Sequence, residues 1–508
     1  MNQQNKINQL NSDEESIIAR CTPMGSGAIA ILRICGVDAI SIADKFSKLS
    51  SGKKLSDLPT HTIHHGFVVS NNETVDEVLF LLMHGPKTFT GQDTVEINCH
   101  NNPFIIEKII NQAIESGARL AQRGEFTKRA FLNKKIDLIQ AESINEIIGA
   151  QTELALKKSM SQLKGTFSSF LKKTEEELIE LLSIVEASFE FLEEEQRDIN
   201  LHNLITTKID LFLKNLKKIK KDFNTQQQIR NGIKIAIIGE VNVGKSTLFN
   251  SLLNKDRAIV TDIEGTTRDS VESTLYKKGN FWLLTDTAGL REPSFAKASE
   301  GLSFEALCAR GTKDQIEKEG INRSLKEAAI ADIVLFVFDV TKDLDQKKIQ
   351  IYNEIINKYK DKVILVFNKI DTLRPLDLSI NSGLEAHCDW NEFETVLNQM
   401  GNNNKYFISV SAKEKKGISN LEKMIQCKIQ EMFENLNSPF LLNQRQFNLI
   451  VQLEQMMNLI VKSITDGLQY ELLAYQLKEM LENLSELTGK NVTEKILDNI
   501  FNSFCVGK

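Results

Sequence analysis

At 508 residues the chain exceeds what one hydrophobic core of ordinary size can hold, and three domains are expected. A composition of 41% hydrophobic and 26% charged residues is that of a globular protein. No stretch approaches the roughly 18 apolar residues of a membrane span, so a soluble, cytoplasmic protein without membrane contact is expected. The net charge of −6 excludes a general attraction for nucleic acid, so RNA contact must come from a local patch or a partner, and DNA is not expected as one.

The segment Met1 to Asn11 is rich in Asn and Gln and has no apolar core, so it reads as a frayed tail rather than a signal peptide. Cysteines stand at 21, 35, 99, 308, 388, 427 and 505, with no CxxC pair and an odd total of seven. Reduced thiols follow, not a disulfide framework or a zinc site.

From Ala28 to about Lys135, short β-rich runs (Ala28 to Leu32, His64 to Val69, Glu77 to Leu82) alternate with a helical stretch near Ile105 to Ile114, the texture of an α+β domain. Between Leu138 and Lys221, Pro is absent and apolar residues recur at helical spacing, as at Leu178, Leu181, Leu182, Val185, Phe189 and Leu192. The basic run Lys214 to Lys221 reads as the solvated face of such a helix. At Ile233 five strand-length apolar runs begin: Ile233–Ile238, Phe281–Leu284, Ile333–Phe338, Val363–Phe367 and Tyr406–Val410. Segments long enough for crossover helices separate them, which predicts a doubly wound, mostly parallel sheet. Helical period returns from Leu441 through Leu453, Met457 and Ile460 to Ile500.

The expected fold class is therefore multidomain α/β and α. An α+β domain at 1–133 precedes a helical domain at 134–230 and 435–508, which is interrupted by an inserted α/β domain at 231–434. Residues 293–313 are rich in small residues and read as a surface insertion.

The inserted domain carries the chemistry. Gly239-Glu-Val-Asn242-Val243-Gly244-Lys245-Ser246 follows the first strand and opens the helical Thr247-Leu-Phe-Asn. Its glycines let backbone N–H groups wrap a β-phosphate, Lys245 can reach the β and γ oxygens, and the Ser246 hydroxyl can ligate Mg²⁺. Asp286-Thr287-Ala288-Gly289 follows the second run, where the carboxylate can hold Mg²⁺ through water and the Gly amide can sense a γ-phosphate.

Between them lies Thr261-Asp262-Ile263-Glu264-Gly265-Thr266-Thr267, with Thr267 the expected switch hydroxyl on Mg²⁺. Asn368-Lys369-Ile370-Asp371 ends the fourth run, and a carboxylate there can accept both N1–H and N2–H₂ of guanine, a donor pair that adenine lacks. Ser411-Ala412-Lys413 adds a backbone donor for the guanine O6. Five such motifs in order define a P-loop GTPase domain that binds GTP. Leu290 stands where Ras-like enzymes place the water-orienting Gln, and Arg268 and Arg291 near the switches read as ion-pair partners.

These motifs, with Gly265-Thr-Thr-Arg-Asp269 and Asp286-Thr-Ala-Gly-Leu-Arg-Glu292 in full, resemble the MnmE (TrmE) family of tRNA-modification GTPases. The resemblance extends outside the G domain to Cys21-Thr-Pro-Met-Gly-Ser-Gly27, Ile31-Leu-Arg33, Phe89 to Glu96, Arg123 to Asp137 and the terminal Phe504-Cys505-Val-Gly-Lys508. It spans about Ile17 to Lys508.

The resemblance implies an N-terminal domain that forms a homodimer and binds a tetrahydrofolate one-carbon carrier through Arg33, Glu96, Lys135 and Lys508, with Cys505 as a candidate functional thiol. It also implies a flavoprotein partner, MnmG (GidA), in a heterotetramer. That partner carries FAD and uses NADH, and the pair installs an aminomethyl or carboxymethylaminomethyl group on the wobble uridine of certain tRNAs. A catalytic glutamate is implied in Ile316-Glu317-Lys-Glu319-Gly320, where counting back from Gly320 selects Glu317 over Glu319. K⁺ is implied as the cation at the β/γ bridge, on Asn242, Thr261, Ile263 and Thr266; the bare residue reading of Asn242 is that it satisfies hydrogen bonds of the loop. A GTPase switch in ribosome assembly or signalling is the alternative, and it has no use for a folate-like domain or a terminal Cys-Val-Gly-Lys. A dynamin-like enzyme would need a membrane-inserting segment, and none is seen.

Overall fold

The structure is a computed structural model that describes residues 15–191, 199–221, 223–240, 242–253, 272–286, 326–341, 356–372, 406–434, 438–465 and 470–508. Packing divides the chain into two bodies. One comprises Met1–Ile148, Ser159–Lys217 and Asn443–Lys508, the other Gly149–Lys158 and Lys218–Leu442. Among the described residues no helix is long and apolar enough to cross a membrane.

The first body holds a seven-stranded sheet. Its strands are β1 (Ile17–Arg20), β2 (Ile29–Cys35), β3 (Ser47–Leu49), β4 (Thr62–Ser70), β5 (Glu73–Met83), β6 (Thr94–His100) and β7 (Arg119–Leu120), in the order β3-β4-β5-β6-β2-β1-β7. All pairings are antiparallel except β1 with β7. Period-2 alternation buries one face: Val78, Phe80 and Leu82 of β5 join Leu32, Ile34, Val95 and Ile97 in a core. Helices Ala39–Asp44 and Pro103–Glu115 close that core through Ile40, Ile42, Ile106 and Ile109. The second of them starts where it does because Asn102 caps it, accepting from the Phe104 N–H at 2.9 Å, and Pro103 occupies the first turn, where no N–H is needed.

Helices Glu125–Leu132, Leu138–Gly149, Thr166–Phe191, Gln444–Thr465, Tyr470–Thr488 and Glu494–Phe501 also lie in this body. Leu178, Leu181 and Val185, expected on an apolar stripe, are buried, as are Leu453, Met457 and Ile460. In the helix Ile199–Lys220, Lys214 and Lys217 are exposed while Leu216 is buried, the solvated face that the basic run suggested.

Helix Leu138–Gly149 precedes the second body in sequence and Gln444–Thr465 follows it, and one polar network ties them. Arg445 donates to both Glu142 oxygens at 2.8 and 2.9 Å, Gln446 donates to Glu142 at 2.7 Å, and Arg445 also reaches the Glu486 and Leu487 carbonyls that end the helix Tyr470–Thr488. Glu142 is buried. Arg445→Ala leaves that carboxylate without its charge partner and is expected to cost about 3–5 kcal/mol, read as a lower urea midpoint for the helical transition. A loss under about 1 kcal/mol, the worth of a surface pair, would contradict it.

The second body is built on β8 (Ile233–Gly239), β9 (Glu272–Lys277), β10 (Asn280–Asp286), β11 (Ile333–Asp339), β12 (Val363–Asn368) and β13 (Phe407–Val410), in the order β13-β12-β11-β8-β10-β9. Only the β9–β10 pairing is antiparallel. Central strands are apolar throughout because both faces are covered. Ile333, Leu335 and Val337 of β11 enter one core with Leu248, Leu252, Ile418 and Leu421, while Val334, Phe336 and Phe338 enter another with Ala328, Ile356 and Tyr359. This is the doubly wound P-loop architecture expected, with an antiparallel edge strand added. Residues 293–313, read as an insertion, lie outside the described residues.

Candidate functional site

In the second body the chain runs from β8 to β9 and β10 on one side, then returns to β11 on the other side of β8. The loop after β8 therefore sits at the point where strand order reverses, the usual ligand crevice of such sheets. Two backbone conformations shape this loop: Asn242 is left-handed at φ 64°, and Gly244 has φ 96°. A Cβ on Gly244 would collide with the Asn368 side-chain nitrogen, so only glycine lets the loop pass this close to the end of β12. Lys245 opens the helix Lys245–Leu253, is 7% exposed, and folds its ammonium back onto the Gly239 and Glu240 carbonyls at 2.9 and 2.6 Å. A cation is thus fixed inside a ring of backbone, and Ser246 and Thr247 beside it are exposed. The arrangement can receive a polyphosphate.

Parallel registry brings the other motifs to the same edge: Val337 pairs with Gly239, Asp339 with Asn368, and Asn368 with Val410. Buried Asn368 donates to the Val243 carbonyl at 2.8 Å and accepts from the Ala412 N–H at 3.0 Å. It therefore joins the phosphate loop to the Ser411-Ala412-Lys413 turn, and of that tripeptide's N–H groups those on Ala412 and on Ser411, which donates to the Lys416 carbonyl at 3.0 Å, are already engaged. Asp371 is half-buried and accepts from the Ser411 hydroxyl at 2.6 Å; Ser411 in turn accepts from the Glu414 N–H. One carboxylate oxygen is oriented by that bond, which aims the group as a base-reading acceptor must be aimed.

Lys369, left-handed at φ 71°, donates to the Asn242 carbonyl at 2.7 Å and to Asp339 at 2.6 Å. Asp339 belongs to no motif recognised in the sequence. Burial pushes its carboxyl up, but hydrogen bonds from Lys369 and Thr341 outweigh that and hold it below its ordinary value.

Asp286 ends β10 opposite Ile237. Thr261, Asp262, Ile263, Glu264, Gly265, Thr266, Thr267, Arg268, Thr287, Ala288, Gly289, Leu290, Arg291, Glu317 and Glu319 lie outside the described residues.

A separate constellation lies in the first body. Arg33 and Glu96 are paired in register on β2 and β6, and their side chains form an ion pair at 2.7 Å with the guanidinium 5.4 Å from the Phe126 ring centre. The terminal segment folds onto this sheet: Val506 bridges Arg123, and the Cys21 thiol donates to the Gly507 carbonyl at 3.3 Å. Gly507, at φ 90°, lies so close to Arg20 and Cys21 that a Cβ would clash with their backbone. Burial pushes the Cys21 thiol up, against the pull of Arg33 and Lys508, while Glu96 adds to the rise.

Arg33, Glu96 and Lys508 thus each act electrostatically on Cys21, a residue not singled out as functional from sequence. Lys135 places its ammonium on the Pro86 carbonyl at 2.9 Å, with its stem 3.4 Å from where a Cβ on Gly91 would lie. Cys505 is exposed and its carbonyl accepts from the Gly124 N–H at 3.3 Å.

Comparison with known proteins gives a consistent result. The family model for the MnmE helical domain matches residues 138–505, and that for the GTP-binding protein TrmE N-terminus matches residues 16–135. The tRNA modification GTPase MnmE of Thermotoga petrophila is 35% identical over 494 residues, 97% of this chain and 100% of that protein. The proteins of the same name from Flavobacterium johnsoniae and Fervidobacterium nodosum are 34% and 36% identical, each over 98% of this chain and over 100% and 98% of their own length. Similarity of that extent, over a chain whose central body has the P-loop architecture, makes this protein a GTP hydrolase that belongs to the tRNA modification GTPase MnmE family.

Proposed function

We propose that this GTPase acts with a flavoprotein partner, MnmG (GidA), to install an aminomethyl or carboxymethylaminomethyl group on the wobble uridine of certain tRNAs. Tetrahydrofolate would supply the carbon, and FAD and NADH belong to the partner. The carrying observation is the pairing of Arg33 with Glu96 beside the inserted Gly507-Lys508 end. A pterin offers amide donors to a carboxylate and a glutamyl tail seeks cations; Lys135 adds a cation from the same body, and Cys505 is exposed nearby in sequence. An ion pair already formed is a site in which each partner can exchange the other for a ligand group.

In the second body, Asn242 through Thr247 take the phosphates, and Asn368, Lys369, Asp371 and the Ser411–Lys413 turn take the base. Ser246 and Thr267 are the hydroxyl ligands for Mg²⁺, and Asp286 adds a carboxylate acting through water. K⁺ is assigned to Asn242, Thr261, Ile263 and Thr266, and Glu317 to orienting the attacking water. The domain scheme 1–133, 134–230, 231–434 and 435–508 distributes these roles.

The homodimer draws support from the open face of the β1–β7 sheet. Ile29, Ile63 and Leu79 on it are 62%, 63% and 41% exposed, the sign of an apolar surface that another chain covers.

Mass spectrometry of wobble uridines is the test. Cells lacking this chain should lose the aminomethyl-type modification and regain it with the wild type but not with Glu96→Ala. Unchanged uridines in the deleted cells would overturn the proposal and leave a GTPase switch as the better description.

A further inference from the structure

We infer that Asp339 is a positioning residue for guanine-nucleotide binding: it fixes Lys369 against the phosphate loop and so latches the base-side and phosphate-side loops together before a nucleotide arrives. The inference rests on the reading of Asn368–Asp371 as the base-recognition loop.

Asp339 ends β11, the strand that separates β8, which feeds the phosphate loop, from β12, which feeds Asn368 and Lys369. Its side chain is only 2% exposed. A carboxylate so buried is tolerated when donors match it, and here the Lys369 ammonium at 2.6 Å, the Thr341 hydroxyl at 2.7 Å and the Thr341 N–H at 3.1 Å do so. With those donors outweighing burial, the carboxyl titrates below its ordinary value and is ionised at neutral pH.

The Lys369 ammonium spends a second proton on the Asn242 carbonyl at 2.7 Å. That contact alone would not hold it. The Lys369 side chain is 34% exposed, and an ammonium with such access to water gains little from one neutral carbonyl while losing rotamer freedom. The buried carboxylate behind it supplies the reason to stay.

What is held is an unusual pair of backbones. Asn242 and Lys369 are both left-handed, at φ 64° and 71°, a conformation that non-glycine residues keep only where their surroundings enforce it. Asn368 grips the next carbonyl along, that of Val243. Consecutive residues of the base loop thus hold consecutive carbonyls of the phosphate loop, and Asp339 is the anchor beneath one strap. A loop ordered before binding pays less ordering entropy on binding, so loss of the anchor should appear in nucleotide release.

The experiment is stopped-flow dissociation of fluorescent GDP from the full-length chain. Asp339→Asn keeps the shape and removes the charge; it should speed release by about tenfold, the scale of a weakened charge-assisted hydrogen bond, with little change in melting temperature. Lys369→Met should speed release as well, and adding Asp339→Asn to it should change the rate by less than about twofold, because the two act in series.

A folded Asp339→Asn protein with wild-type release, or two effects that multiply independently, would overturn the inference. If Asp339→Asn does not fold, Asp339→Glu is measured in its place: displacing the carboxylate by one methylene should give a smaller acceleration, and none would overturn the inference. Failure of the base-loop reading shows separately, as an Asp371→Asn protein that keeps its preference for guanine over xanthine.

Discussion

Asp371→Asn is expected to move the base preference from guanine toward xanthine by about 10³–10⁴ when both nucleotides are measured in competition. A site built around hydrogen bonds to a substrate rejects an analogue that leaves its polar group unpaired by about 10⁴–10⁵. Guanine presents N1–H and N2–H₂ side by side, and a carboxylate can accept from both. Xanthine replaces the amine with a carbonyl, which a carboxylate repels and a carboxamide nitrogen can satisfy.

The geometry favours a large effect. The Asp371 carboxylate is half-buried and one of its oxygens is steered by the Ser411 hydroxyl at 2.6 Å, so the group cannot swing away to water at low cost. Asn368 stands outside this exchange, since its amide is occupied by the Val243 carbonyl and the Ala412 N–H. On the proposed reading Asn368 shapes the pocket, and Asp371 is the residue expected to read the base. The measurement is displacement of a fluorescent guanine nucleotide by GDP, XDP and ADP for wild type and variant. ADP binding as tight as GDP in the wild type would refute the assignment of the base.

The parallel sheet was legible in the sequence because each central strand is buried on both faces and shows as an apolar run, as in Ile333–Phe338. Strand β9, Glu-Ser-Thr-Leu-Tyr-Lys, escaped because an edge strand has no such run. Strand β6 escaped for a related reason: Glu96, Asn98 and His100 alternate with its core residues and break the apolar signal. The phosphate-loop and base-loop readings come from the sequence because their chemistry is compressed into short local patterns.

Asp339 was not found, since a single carboxylate at the end of an apolar strand carries no local pattern; only the parallel register that sets it beside Asn368 gives it a role. The Arg33–Glu96 pair and the docking of Gly507 on Cys21, 486 residues apart in sequence, depend on register and chain return. Periodicity holds no record of either, and only the resemblance to a family pointed there.

Hydrolysis is expected to run about 10²-fold faster in K⁺ than in Na⁺ at equal ionic strength, and Asn242→Ala should erase the difference. The sequence sets the problem. Leu290 stands in place of a water-orienting Gln, and a charge preplaced where the transition state becomes negative is worth about 10²–10³ in rate when removed. An arginine finger supplies even more elsewhere, and a monovalent cation at the β/γ bridge is the expected source of that charge here.

Asn242 has the features such an ion needs. Its backbone carbonyl is committed to Lys369 and its left-handed turn is fixed, while its side chain remains exposed. The side-chain oxygen is therefore the ligand it has left to give. Oxygen ligands held at fixed spacing can distinguish K⁺ from the smaller Na⁺, as carbonyl cages do. Truncation to Ala removes that ligand without releasing the strap, because Lys369 holds the backbone and not the side chain. GDP affinity should consequently change little in Asn242→Ala, while kcat in K⁺ falls to its Na⁺ value. Glu317→Ala should lower kcat and leave GTP affinity nearly intact, the signature of a group that acts only in the transition state. Initial rates in matched KCl and NaCl, with nucleotide affinities measured alongside, decide the matter. Equal rates in the two salts for the wild type would remove the cation from the mechanism and require the missing charge to come from the protein itself.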